Sequence, residues 1–168
     1  LAAKLYVSST TNDCDLFVTM QAHSPKGREV FFQGTVDPKT PLAQGWLRVS
    51  HRKLNTKLSK PWRPFHTHDD KQLLTPGKIY EVDIEIWPQC IVLPKGFTIA
   101  LNISGQDFDR PGPSVQAYSE SRGSGPFLHD HPLDRPKAVF GGKTTIYTGP
   151  KYSSYLLVPV IPKRRRKI

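Results

Sequence analysis

The sequence has no amphipathic stretch long enough for three helical turns. Its 16 prolines and 12 glycines among 168 residues leave little room for one, because proline removes a backbone donor and clashes inside a helix. A helical bundle is thereby excluded, and the only short helical candidate is 40–45. No apolar run approaches the ~20 residues needed to cross a bilayer, so no membrane partner is expected. Two cysteines, Cys14 and Cys90, are too few for a disulfide framework or a thiolate zinc site, and neither lies in a partner motif. A reducing, cytoplasmic setting fits that usage. No signal peptide is visible. The start, Leu1-Ala2-Ala3-Lys4-Leu5-Tyr6-Val7, lacks an initiator Met and reads like a strand, which points to a piece of a longer chain.

The motifs of catalysis are missing too. No G-x-S-x-G elbow occurs; Arg122-Gly123-Ser124-Gly125-Pro126 is only Gly-Ser-Gly inside a proline-flanked loop, without the strand–turn–helix that exposes a nucleophile. No glycine-rich loop followed by a helix could cradle phosphate. Glu81, Asp83 and Glu85 alternate along one strand, so they read as its solvent face rather than as a glycosidase pair. No catalytic residue, cofactor or metal ligand is assigned.

Positive charge is abundant: 24 Lys+Arg against 14 Asp+Glu give a net charge of +10. Such an excess raises nucleic acid as a partner, but its distribution argues otherwise. The tail Lys163-Arg164-Arg165-Arg166-Lys167 carries half of it, as a solvated terminal run, and a second basic stretch spans Arg48 to Arg63. No nucleic-acid partner is expected. The 37% hydrophobic content can build a core, and the length suits one domain.

The dominant period is two, the mark of half-buried strands. Tyr80, Val82, Ile84 and Ile86 share one face; Phe97, Ile99, Leu101 and Ile103 repeat the pattern; Leu16, Val18 and Met20 alternate with Phe17, Thr19 and Gln21. Trp46-Leu47-Arg48-Val49-Ser50-His51, Thr144–Tyr147 and Ser154–Val158 are further β-rich runs. Turns such as Thr75-Pro76-Gly77-Lys78 and Leu93-Pro94-Lys95-Gly96 separate them. The chain is predicted to be all-β, two packed sheets in a sandwich.

Two long loops, about 53–72 and 106–142, interrupt the strands and mix aromatics, Arg and Pro. Loops of that length are usually functional or docked. They hold four of the six histidines, as His66-Thr67-His68-Asp69-Asp70 and His129-Asp130-His131. The first resembles the metallohydrolase pattern H-x-H-x-D-H, but Lys71 stands where the last ligand should be. The loop residues Trp62, Arg63, Phe65, His66, His68, Asp69, His129, Asp134 and Arg135 are instead candidates for docking on another domain. Trp46 and Trp87 are expected in or near the core, while Trp62 is the best candidate for stacking on a sugar.

A family resemblance rests on long motifs. Gln44-Gly45-Trp46-Leu47-Arg48-Val49-Ser50-His51-Arg52-Lys53-Leu54, Pro64-Phe65-His66-Thr67-His68-Asp69, Leu74-Thr75-Pro76-Gly77, Val82-Asp83-Ile84-Glu85-Ile86-Trp87-Pro88, Asp134-Arg135-Pro136 and Ser154-Tyr155-Leu156-Leu157-Val158-Pro159 resemble the C-terminal, non-catalytic domain of X-Pro dipeptidyl-peptidase and cocaine-esterase-like (CocE/NonD) hydrolases. The resemblance implies a jelly-roll β-sandwich of the galactose-binding-domain-like type over residues 1–162, lacking its N-terminal edge strand, with 163–168 as a basic tail. It implies a partner: the α/β-hydrolase catalytic domain of the same parent chain, which carries the Ser-His-Asp triad. The accessory domain would help frame that active site or join subunits in a homo-oligomer. The competing reading is a free-standing carbohydrate-binding module of jelly-roll type.

Overall fold

Alternation sets the architecture. In the computed structural model, which describes residues 1–32, 39–108 and 129–161, eight strands form two antiparallel sheets. The strands are β1 (Ala2–Ser9), β2 (Asp15–His23), β3 (Glu29–Val30), β4 (Ala43–Arg48), β5 (Tyr80–Glu85), β6 (Thr98–Ser104), β7 (Thr144–Tyr147) and β8 (Tyr155–Leu157). One helical turn, α1 (Lys137–Phe140), precedes β7. The tail and the Gly123-Ser124-Gly125 run lie outside the described residues.

The first sheet is centred on β1. β5 lines one edge through pairs from Ala2↔Glu85 to Val7↔Tyr80. Along the other edge β7 pairs with Tyr6 to Ser9 and β8 with Ala2 to Lys4. β7 and β8 thus act as one strand with an excursion between them, turned by Gly149 at φ +99°. The second sheet is centred on β2, with β4 and β3 in succession along one edge and β6 along the other.

Ala3, Leu5, Val7, Val82, Ile84 and Ile86 face Leu16, Val18, Met20, Ala22, Leu47 and Val49 across the sandwich. Each fully buried Val or Ile contributes roughly 1.5–3 kcal/mol relative to exposure. The sheets come closest at one corner, where Trp87 N–H donates to Gln44 O (3.0 Å). A Cβ on Gly45 would lie 2.1 Å from Glu85 O, so this corner requires glycine.

Several expectations change. The helical candidate 40–45 instead enters β4, which pairs with β2 from Met20↔Ala43 to Asp15↔Arg48. The run 46–51 does not continue as a strand, since Val49–His51 form a 3-10 turn. The buried Asp13 carboxylate draws the chain over there: its Oδ1 accepts from Cys14 N (2.9 Å) and Ser50 N (3.0 Å). On β6, Leu101 and Ile103 are only half-buried and Ile99 is exposed, because β6 lies on the far side of β2 from the β4–β5 corner.

Candidate functional site

Strand parity turns Asp15 and Phe17 of β2, with Trp46 and Arg48 of β4, onto the outer face of the second sheet. They stand opposite one another as Asp15↔Arg48 and Phe17↔Trp46, the positions where cross-strand side chains meet. The segment 129–140 lies over this face. With the loop 53–72 and the end of β5, it walls a cavity of about 420 Å³ lined by Asp15, Phe17, Trp46, Arg48, His51, His66, His68, Glu85, Trp87, His129 and Asp134.

Arg48 organises the floor. Its Nε and Nη2 donate to the two Asp15 oxygens at 2.9 and 3.1 Å. Its Nη1 and Nη2 donate to the two Asp134 oxygens at 2.9 and 3.1 Å. Two bidentate forks on one guanidinium match the planar geometry for which arginine is suited. The first effect, the hydrogen bond to Asp15, raises the Arg48 pKa further, and Arg48 in turn holds the Asp134 carboxyl below its ordinary range.

Arg135 approaches from behind. Its Nε stands 2.9 Å from Asp15 Oδ2, and its Nη1 and Nη2 donate to His129 O and Gly105 O at 2.6 and 2.5 Å. Arg48 also stacks on Phe140, 4.4 Å from the ring centroid. His129 closes the segment down: its backbone N–H donates to Asp107 Oδ2 (2.7 Å) and its Nδ1 lies 2.9 Å from Asp107 Oδ1.

The upper wall is aromatic and imidazole. Trp46 and Trp87 meet edge to face at 5.2 Å, with His129 5.9 Å from Trp46 and 5.6 Å from Phe17. His68 Nδ1 stands 3.4 Å from His51 Nδ1, and the His66 and His68 rings are 6.0 Å apart. Burial pushes the His66 imidazole below its ordinary 6.5; His68 and His51 push the same way, against Asp83. Among the described residues, no group of three or more His, Cys, Asp or Glu side chains stands where it could share a metal ion.

The structure brings His66, His68, His129 and Asp134 of the candidate docking set to one cavity, with Arg135 behind the wall. Trp62, Arg63, Phe65 and Asp69 do not line it. Arg63 N–H closes a tight turn on Lys60 O (2.9 Å), Phe65 O accepts from Asn55 N (2.8 Å), and Asp69 pairs with Lys53 (3.1 Å). Trp62 stays exposed on that turn.

Trp46 and Trp87 correct the expectation of a core role: parity puts Trp46 opposite the inward Leu47, and Trp87 is 63% exposed. Meeting edge to face, they offer no flat platform with Trp62 for a sugar ring. Glu81 and Asp83 stand on the outer face of the first sheet, ion-paired with Lys4, while Glu85 reaches the cavity. Asp15, Phe17, Arg48 and His51 were not singled out by spacing. For Asp15 and Arg48, opposite charge at facing strand positions was the available signal.

Residues 1–157 match the family described as the X-Pro dipeptidyl-peptidase C-terminal non-catalytic domain. Two proteins named "Putative serine esterase", from Mycobacterium bovis and Mycobacterium tuberculosis, are each 27% identical over 125 residues, 68% of this chain and 18% of theirs. Crystal structures of a CocE/NonD family hydrolase from Staphylococcus aureus superpose with a TM-score of 0.73 at 30% identity, covering 91% of this chain and 26% of that one. The chain therefore spans about a fifth to a quarter of these relatives. With two antiparallel sheets, the matched motifs and the shared fold in place, the chain belongs to the family of X-Pro dipeptidyl-peptidase C-terminal non-catalytic domains.

Proposed function

We propose that this chain is the accessory domain of an α/β-hydrolase-type serine hydrolase acting on X-Pro peptides, esters or related acyl bonds. It packs on the catalytic domain of its parent chain, with the cavity on the outer face of the second sheet as the docking surface, and so helps frame the active site. The observation that carries this reading is Trp87. It is 63% exposed, yet it lines the same cavity as Arg48, Asp15 and Asp134, which are locked in paired hydrogen bonds. An aromatic anchor on a pre-ordered polar base is the arrangement of an interface hot spot. The relatives named as serine esterases and as a CocE/NonD hydrolase extend far beyond the matched segment, leaving room for a catalytic domain.

Association in trans tests this directly. The chain and the catalytic portion of its parent hydrolase, expressed as separate polypeptides, should co-purify. Trp87→Ala should weaken their affinity by at least about tenfold, with the chain's own melting temperature unchanged. Failure to associate, or association indifferent to W87A, overturns the docking role.

A further inference from the structure

The geometry points to an arginine side chain, presented by a loop of the catalytic domain, as the group that enters the cavity beside Trp46, Trp87 and Glu85. This rests on the docking role proposed above and names its chemistry. The cavity lining holds three carboxylates, Asp15, Glu85 and Asp134, against one guanidinium, Arg48. The chain as a whole carries +10, so a locally acidic hollow runs against the field of the rest of the molecule. Arg135 reaches Asp15 from behind the wall, and counting it still leaves one negative charge in excess. Four imidazoles, those of His51, His66, His68 and His129, also line the hollow.

Within that excess, the carboxylates are not equivalent. Both oxygens of Asp15 and both of Asp134 accept from Arg48. Glu85, half-buried at the end of β5, has no side-chain hydrogen bond or ion pair among the described residues. Next to it the chain turns through Ile86 to Trp87, whose indole meets that of Trp46 edge to face. A carboxylate free to accept, lining the same hollow as two indoles, suits a cation that can both pair and lie against a ring. A guanidinium does both, being planar, forked and weakly hydrated, whereas an ammonium holds its water more tightly. The 420 Å³ of the hollow exceeds one side chain, which leaves room for the loop that carries it.

The probe is Nα-acetyl-arginine amide, titrated into the 168-residue chain while the indole N–H signals are followed by NMR. Nα-acetyl-citrulline amide, the same shape without the charge, is the control. The expected result is a saturable shift of the Trp46 and Trp87 signals with the arginine compound alone. Glu85→Gln and Trp87→Ala should each weaken it by roughly three- to tenfold without disturbing the dispersed signals of the fold. Equal response to arginine and citrulline amides, or a titration unmoved by E85Q, overturns the assignment. If the chain still associates with its catalytic partner while the titration is flat, the arginine is wrong and the docking role stands. If neither is seen, both fall.

Discussion

Arg48 and Asp134, separated by 86 positions in the chain, meet through two hydrogen bonds of 2.9 and 3.1 Å. The same guanidinium holds Asp15 on the neighbouring strand. One side chain therefore fastens the segment 129–140 to the outer face of the second sheet and builds the floor of the cavity in doing so.

The two ends of this clamp should differ in worth. Asp15 is buried, with its side chain 8% exposed, while Asp134 is 61% exposed. Arg48→Met strands a buried carboxylate whose one other cationic partner among the described residues is Arg135, and should cost about 2–4 kcal/mol in urea unfolding. Asp134→Ala breaks a solvent-screened contact and should cost about 0.5–1 kcal/mol.

The clamp should open in acid. Arg48 lowers the folded-state pKa of Asp134 below its ordinary 3.8. A depressed carboxylate contributes stability above the unfolded value and loses it as pH falls through the folded one. Limited proteolysis within 129–140 should therefore accelerate below about pH 4. Asp134→Asn should show the fast cleavage at neutral pH as well, and lose that increment of pH dependence.

His66 is shifted in the same direction for the opposite reason, since its surroundings disfavour the charged form. Its pKa is lowered from 6.5 mainly by burial, so below that value the unfolded chain takes up a proton the folded chain resists. Stability is fully present above pH 6.5 and falls as pH drops toward the folded value. His66→Gln should flatten the decline between pH 7 and pH 5 in denaturant midpoints, whatever its effect at neutral pH.

The two cysteines should separate sharply with a thiol reagent. Cys14 is buried, and burial pushes its thiol up to about 11, while Cys90 is exposed. One thiol should react at once at neutral pH and the other only on unfolding.

At the sheet corner, Gly45→Ala should destabilise the chain by about 1–3 kcal/mol, because its Cβ would overlap the Glu85 carbonyl and force β4 from β5. Gly27→Ala should cost less: its φ of +75° strains an alanine, but its Cβ would meet nothing within 4 Å.

Strands were legible wherever one face is core and the other is water. The alternation of Tyr80 to Ile86 placed β5, and that of Leu16 to Met20 gave the inward set of β2. The same parity turned Phe17 and Trp46 outward, but nothing local reveals that an outward aromatic will be covered by His129, whose approach depends on a loop closing over more than 80 residues. At 40–45, pairing with β2 overrides a short helical preference. At 49–51 the β-rich run leaves the sheet, because Asp13 supplies a bond that no strand neighbour offers. Loop composition marked His66, His68, His129 and Asp134 as candidates for docking, and the fold gathers these four around one cavity. Trp62 and Arg63, marked by the same composition, stand apart from that cavity on the tight turn from Lys60 to Arg63.

The central claim is that this chain is an accessory domain rather than the catalytic unit. A serine-directed fluorophosphonate probe, applied to the purified chain alongside an ester substrate, tests it most directly. The account predicts no labelled serine and no turnover above background. Stoichiometric labelling of one serine, with ester hydrolysis lost on labelling, would contradict it.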